Sequence, residues 1–208
     1  MPTSRLDRTA PSEEEVRALV AAVIASVTAD EDEAPHASPG EEPSSTPSGT
    51  PADVAVGADH GGYRLKERIA AELRGRGLQV EDCGTDSTES VDYPDFAHAV
   101  ARAVARGSSR LGIVVDGAGI GSCMVANKVP GIRAATCWDV SSARNSREHN
   151  HANVLVLGAG LLGESLALQI VDAWLSTPWG GDRHARRVEK ITEIERRYLA
   201  PVEAGAAR

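Results

Sequence analysis

Five short stretches of this chain hold residues whose types and spacing suit chemistry. In "DGAGIGS", residues 116–122, a carboxylate is followed by Gly117, Gly119 and Gly121. Glycines at that spacing let the backbone turn until several N–H groups face one concavity at a helix start. Such a nest holds a phosphate or a developing oxyanion, or is simply a tight structural turn. Asp116 is the anomaly, a negative charge at the mouth of a loop whose amides favour anions. "GADHGGY", residues 57–63, places Asp59 and His60 together, as an acid–base pair or as a helix cap. "SREHNHAN", residues 146–153, offers His149, Asn150 and His151. A metal would need a third ligand that this spacing does not supply, so no metal site is expected. "GGDRHARRVEK", residues 180–190, concentrates Arg183, His184, Arg186 and Arg187, a solvated basic face or a phosphate clamp of guanidinium forks.

The fifth stretch, "VLGAGLLGE", carries Gly158, Gly160 and Gly163 in the G-x-G-x-x-G pattern of dinucleotide sites. It falls in the last strand–helix unit, with no later strand to carry a ribose-binding acid, and Asp172 lies inside the expected helix. Glycines serving a tight turn and close packing are the favoured reading. A nucleotide-dependent oxidoreductase remains a rival.

These residues need elements to place them. From residue 53 onward, apolar strands alternate with amphipathic helices. The expected strands are "DVAVGAD", "LQVEDCG", "LGIVVDGAG", "IRAATCW" and "NVLVLGAG". The expected helices run through "YRLKERIAAELRGRG", "PDFAHAVARAVARG", "SCMVANKVPG", "SSARNSREHN", "ESLALQIVDAWLS" and about His184 to Tyr198. That alternation predicts an α/β fold, a Rossmann-like three-layer αβα sandwich around a five-stranded parallel sheet. Ligands of such sheets bind beyond the carboxyl ends of the strands. Asp59 and His60, Thr85, residues 116–122 and residues 158–160 all follow strands and are the positions to inspect.

The 208 residues suit one such domain with something added, and the net charge of −8 argues against a nucleic-acid binder. No apolar run reaches the ~18 residues of a membrane span, and three cysteines without CxxC spacing suit a reducing cytoplasm. Residues 29–52 are rich in Pro, Ser and acid and read as a disordered linker. Ahead of it, Ser12 and Glu15 form a capping-box pattern, and Val16, Leu19, Val20, Val23, Ile24 and Val27 share one helix face. The expected division is a docking helix over 1–28, the linker over 29–52 and the α/β domain over 53–208.

Taken together, "VAVGADHGGYRLKERI", "DCGTDSTESVDYPDFAHAVA", "GAGIGSCMVANKVPGIRAA", "SREHNHANVLVLG" and "GGDRHARRVEKITEIE" resemble the type B ribose-5-phosphate isomerases and their galactose-6-phosphate isomerase relatives. The resemblance runs from about Val54 to Glu195. It implies cofactor-free and metal-free aldose–ketose isomerisation of a phosphorylated sugar through a cis-enediolate. Asp59 and His60 would contact the sugar near its ring oxygen and hydroxyls, Asp59 being catalytic with His149 in ring opening and in handling hydroxyl protons, and His60 also lying near the phosphate. Tyr93 would line the pocket, His149 would assist ring opening as an acid/base, and Asn150 would bind substrate. Backbone amides of Gly117, Ala118, Gly119, Ile120, Gly121 and Ser122 would stabilise the enediolate oxygen. Arg183 and Arg187 would hold the phosphate, supplied by the neighbouring subunit of a homodimer or tetramer.

Two departures from the family pattern stand out. One branch has a cysteine base where this chain has Asp116, and another has a glutamate base where this chain has Ser122. Asp116 is therefore the expected base, a carboxylate being competent to remove a proton α to a carbonyl. Gly160 stands where family members often carry a further phosphate-binding arginine, which leaves the sugar open among ribose 5-phosphate, a tetrose, a deoxy sugar or a hexose phosphate. The N-terminal helix and linker resemble the encapsulation peptides of bacterial microcompartment cargo, which implies a shell-protein partner for residues 12–27. A non-catalytic sugar-phosphate-binding protein is the remaining alternative. Neither nucleic acid nor membrane is an expected partner.

Overall fold

The computed structural model describes residues 50–199. The expected N-terminal helix over 1–28 and nearly all of the expected linker over 29–52 lie outside the described residues. The strands are β1 (Ala52–Ala58), β2 (Val80–Asp82), β3 (Ser109–Asp116), β4 (Ala134–Thr136) and β5 (Val154–Gly158). The helices are α1 (Tyr63–Gly75), α2 (Tyr93–Ala105), α3 (Ile120–Ala126), α4 (Val140–Glu148), α5 (Glu164–Ser176) and α6 (Asp182–Leu199).

All strand pairs are parallel, in the order β2-β1-β3-β5-β4. Strands buried on both faces should read as unbroken apolar runs, and "VLVLG" of β5 is buried at every position. Alternate residues serve opposite faces. Val54, Val56, Ile113, Val115, Leu155 and Leu157 meet Ile69 and Leu73 of α1 and Ile170 and Trp174 of α5. Ala55, Val114, Val154 and Val156 meet Ala97, Val100 and Ala101 of α2 and Ala126 of α3. The expected three-layer sandwich is therefore present.

Differences from the expected elements sit at the periphery. β2 and β4 are the sheet edges and shrink to three residues each, the usual device for limiting an open edge. α3 is shorter than "SCMVANKVPG" suggested, because Asn127 turns the chain. Its Nδ2 donates to Cys123 O at 3.0 Å and its Oδ1 accepts from Ala134 N at 2.9 Å, tying the helix end to β4. α4 begins at a capping box in which Asp139 accepts from Ser142 N. Chain order reverses between β1 and β3, so the crevice at their carboxyl ends is the topological switch point where ligands bind.

Candidate active site

Asp59 follows β1 and Asp116 ends β3. Ala58 pairs with Val115 across the sheet, so the two carboxylates come from neighbouring positions at the switch point. Both are buried, at 9% and 5% exposure. Asp59 Oδ1 accepts from Gly62 N at 2.9 Å, restraining the start of α1. Gly61 packs between the two loops, its absent Cβ pointing toward Asp59 Oδ1 and Gly117 N.

The loop after β3 answers the anomaly of its charge. Asp116 Oδ1 accepts from Ala118 N at 2.9 Å and from Gly119 N, and Oδ2 accepts from Ser122 N at 3.2 Å. Half of the six amides expected to face substrate are thus turned onto the chain's own carboxylate. Those of Gly117, Ile120 and Gly121 are not among its donors. Oδ2 takes one amide where Oδ1 takes two, which leaves it the less engaged oxygen. The turn needs Gly119 in the left-handed region, with φ 77°. Ser122 Oγ is buried without a hydrogen-bond partner, so this residue contributes its amide rather than its hydroxyl.

Neighbouring elements brace the loop. Ala159 N donates to Asp116 O at 2.7 Å and Gly160 N to Gly117 O at 2.9 Å. Those amides of "GAGLLG" are thereby committed within the chain, and the motif works as a close-packed turn. A Cβ on Gly160 would lie 2.9 Å from Gly117 O, so a side chain there requires this loop to move. Thr136 at the end of β4 donates to Gly119 O at 2.6 Å. Tyr93, the first residue of α2, lies over Gly121, where a Cβ would come 2.6 Å from the ring. His60 Nδ1 sits 3.2 Å from both N and O of Val91, pinning its ring beside the loop that leads to α2.

Two contributors carried no sequence signal. One is Thr136. The other is Lys66, 1% exposed in a helix whose polarity reads as surface. Its Nζ reaches Asp82 at 2.8 Å, Glu67 at 2.9 Å and Thr85 O at 2.8 Å. Burial pushes the Lys66 pKa down, but Asp82 and Glu67 outweigh it and the net direction is up. This cation fixes the β2–α2 loop at the carboxyl edge.

The other expected site residues gather elsewhere. His149 follows α4, and its Nδ1 lies 2.8 Å from Asn145 Nδ2. Its ring stacks on His184 of α6 with centroids 4.2 Å apart. Asn150 leans on Asn145 at 3.4 Å, and Arg183 Nε lies 3.2 Å from His184 Nε2. Arg187 is one turn further along α6. This cluster precedes Val154, the first residue of β5, whereas Asp116 pairs with Gly158, its last. Four residues of strand separate those levels by about 13 Å. Within one chain, the carboxylate cluster and the histidine–arginine cluster therefore occupy opposite ends of the sheet.

Among the described residues, no group of three or more His, Cys, Asp or Glu is disposed to hold a metal ion. No described helix is long and apolar enough to cross a membrane.

Residues 54–191 match the ribose/galactose isomerase family. The chain belongs to this family. It is 49% identical over 144 residues to the ribose-5-phosphate isomerase B of Escherichia coli, spanning 69% of this chain and 97% of that protein. With the enzyme of the same name from Mycobacterium tuberculosis it is 43% identical over 155 residues, 74% of this chain and 96% of the relative. The solved Clostridium thermocellum ribose-5-phosphate isomerase B superposes with a TM-score of 0.69 at 55% identity, over 70% of this chain and 99% of that one. The Mycoplasma genitalium family member, solved with bound ribulose-5-phosphate, gives 0.67 at 38% identity, over 69% and 96%.

Proposed function

We propose that this member of the family isomerises ribose 5-phosphate and ribulose 5-phosphate through a cis-enediolate, in a site completed by a second copy of the chain. The observation that carries the reading is the pairing of two buried carboxylates around a loop of amides at the switch point. Asp116, through Oδ2, moves the proton between C1 and C2. Asp59 and His60 face the sugar hydroxyls, Tyr93 closes the pocket, and the amides of Gly117, Ile120 and Gly121 receive the enediolate oxygen. Stabilising that oxygen with fixed donors is where most of the barrier reduction arises.

His149 as ring-opening acid, Asn150 as a substrate ligand, and Arg183 and Arg187 as phosphate clamp then come from the second copy. The separation of the two clusters supports this, and so does the surface near the second one. Ile191, Ile194 and Tyr198 of α6 are exposed and line a cleft of 580 Å³ shared with Arg133, Ala135 and Asn150. Apolar residues on an outer helix beside a three-residue edge strand suit a self-complementary contact.

The test is proton exchange. The full-length protein incubated with ribose 5-phosphate in deuterated water is expected to form ribulose 5-phosphate and to place deuterium on the substrate carbons. Binding without exchange would select the non-catalytic reading, which the engagement of Asp116 by three amides favours. A panel of tetrose, deoxy and hexose phosphates sets the preferred sugar. Packaging in a bacterial microcompartment is proposed from residues 12–27 alone. A reporter fused to residues 1–30 is expected to co-purify with shell proteins, and a diffuse reporter would remove the proposal.

A further inference from the structure

His184 has no part in the reaction outlined above, yet it touches two residues that do. It is 6% exposed, and its ring stacks on that of His149 within 10° of parallel, with centroids 4.2 Å apart. Arg183 Nε lies 3.2 Å from His184 Nε2. A guanidinium only donates, so this nitrogen accepts, and the ring is neutral with its proton on Nδ1. His149 Nδ1 lies 2.8 Å from Asn145 Nδ2, and its Nε2 faces Glu148 at 3.8 Å. Behind the pair, Gly180 N donates to Glu148 O at 3.0 Å, and a Cβ on Gly180 would sit 3.4 Å from the His184 ring. His184 is held against His149 from behind.

We propose that His184 is a positioning residue that couples the phosphate clamp to the ring-opening acid: its ring sets the plane of His149 while its Nε2 sets the Arg183 guanidinium. The inference rests on the isomerase reading and adds a link between two of its parts. Only the neutral ring can do both jobs. Protonation would turn Nε2 into a donor facing the Arg183 donor and place a cation against His149.

The groups facing His184 are Glu148 and His149 at the end of α4 and Arg183 and Arg187 on its own helix. Burial, then His149, then the two arginines hold its pKa below the ordinary histidine value, while Glu148 opposes them. A lowered histidine pKa favours the neutral form in the folded state. The coupled arrangement therefore persists below the ordinary histidine value and is lost as pH falls through the depressed one.

Two full-length variants separate the contacts. His184→Phe keeps a ring to stack but no acceptor, and His184→Gln keeps an acceptor but no ring. With ribose 5-phosphate, Phe is expected to raise KM about ten-fold with kcat nearly unchanged, and Gln to lower kcat about ten-fold with KM nearly unchanged. In the wild type, KM should rise on acidification, and the Phe variant should lack that rise. Imidazole NMR of the full-length protein gives a readout independent of turnover. The His149 ring should show an inflection at the pH where His184 titrates, absent from both variants. Equal losses in both parameters for both variants, wild-type kinetics in both, or no such inflection would overturn the coupling. A wild type that leaves ribose 5-phosphate unchanged would defeat the substrate reading, while the inflection would still decide the role of His184.

Discussion

Asp116 has two duties, and they call for different substitutions. As a base it must be a carboxylate, and as the acceptor of three loop amides it needs only suitable lone pairs. Asp116→Asn preserves the shape and part of the acceptor set but removes the base. It should lower kcat by about 10³-fold, with KM changed only a few-fold, in steady-state assays. Near-normal turnover would mean that another group moves the proton. Gly119→Ala tests the other duty, because φ of 77° is costly for any residue with a Cβ. It should lower stability by about 1–2 kcal/mol in denaturant unfolding and lower activity as well, since the same turn aims the amides. Neither duty can be told apart from the string "DGAGIGS". Its spacing reveals a loop of amides, whereas the direction in which those amides point depends on a rotamer of Asp116 and on Thr136, which lies seventeen residues beyond Gly119.

At the scale of elements, the central strands were legible because each is a continuous apolar run between turn residues, and a parallel sheet buries such runs on both faces. β2 and β4 were overestimated because the apolar pattern runs on past the strand ends: Cys83 and Cys137 lie just beyond them, and each makes one last backbone bond, to Val56 O at 2.7 Å and Val156 O at 3.2 Å. The stack of His149 on His184 was not legible at all. It joins the ends of α4 and α6, and nothing in helical periodicity reports a contact across thirty-five residues of chain. α6 carries the arginines, so Arg187→Ala should raise KM about 10–100-fold with little change in Tm, read by kinetics and by thermal melting. A second acid-sensitive contact lies nearby. Burial, Arg133 and Arg147 hold the His151 pKa down while its ring stacks on Trp179 at 4.2 Å. Since the folded state favours the neutral form, stability contributed here is present above the ordinary histidine value and declines as pH falls through it. His151→Gln should therefore flatten the loss of Tm between about pH 7 and pH 5.

The whole molecule sets the limit on what one chain can do. If each site draws Asp116 from one copy and Arg187 from another, two variants that are each impaired at substrate well below the wild-type KM should rescue each other under that condition. Mixing Asp116→Asn and Arg187→Ala proteins after reversible dissociation should regenerate one intact site in each hybrid dimer, or about a quarter of wild-type activity for random pairing. An unrescued mixture would place both residues in the same chain's site and contradict the separation seen along β5. The sequence could suggest a shared site only through family resemblance, because no local pattern says which end of a sheet a helix terminus reaches.

The carboxylate lodged among the loop amides also bears on inhibition. A site that already contains its own anion repels added ones, so inorganic phosphate and sulfate should compete with substrate only through the arginines. Mimics of the enediolate that carry a full charge should therefore bind with uptake of a proton onto Asp116, the state that the carboxylate reaches after taking the substrate proton, and their affinity should rise as pH falls. A useful inhibitor would pair a charge at the phosphate end with an oxyanion aimed at the amides of Gly117, Ile120 and Gly121.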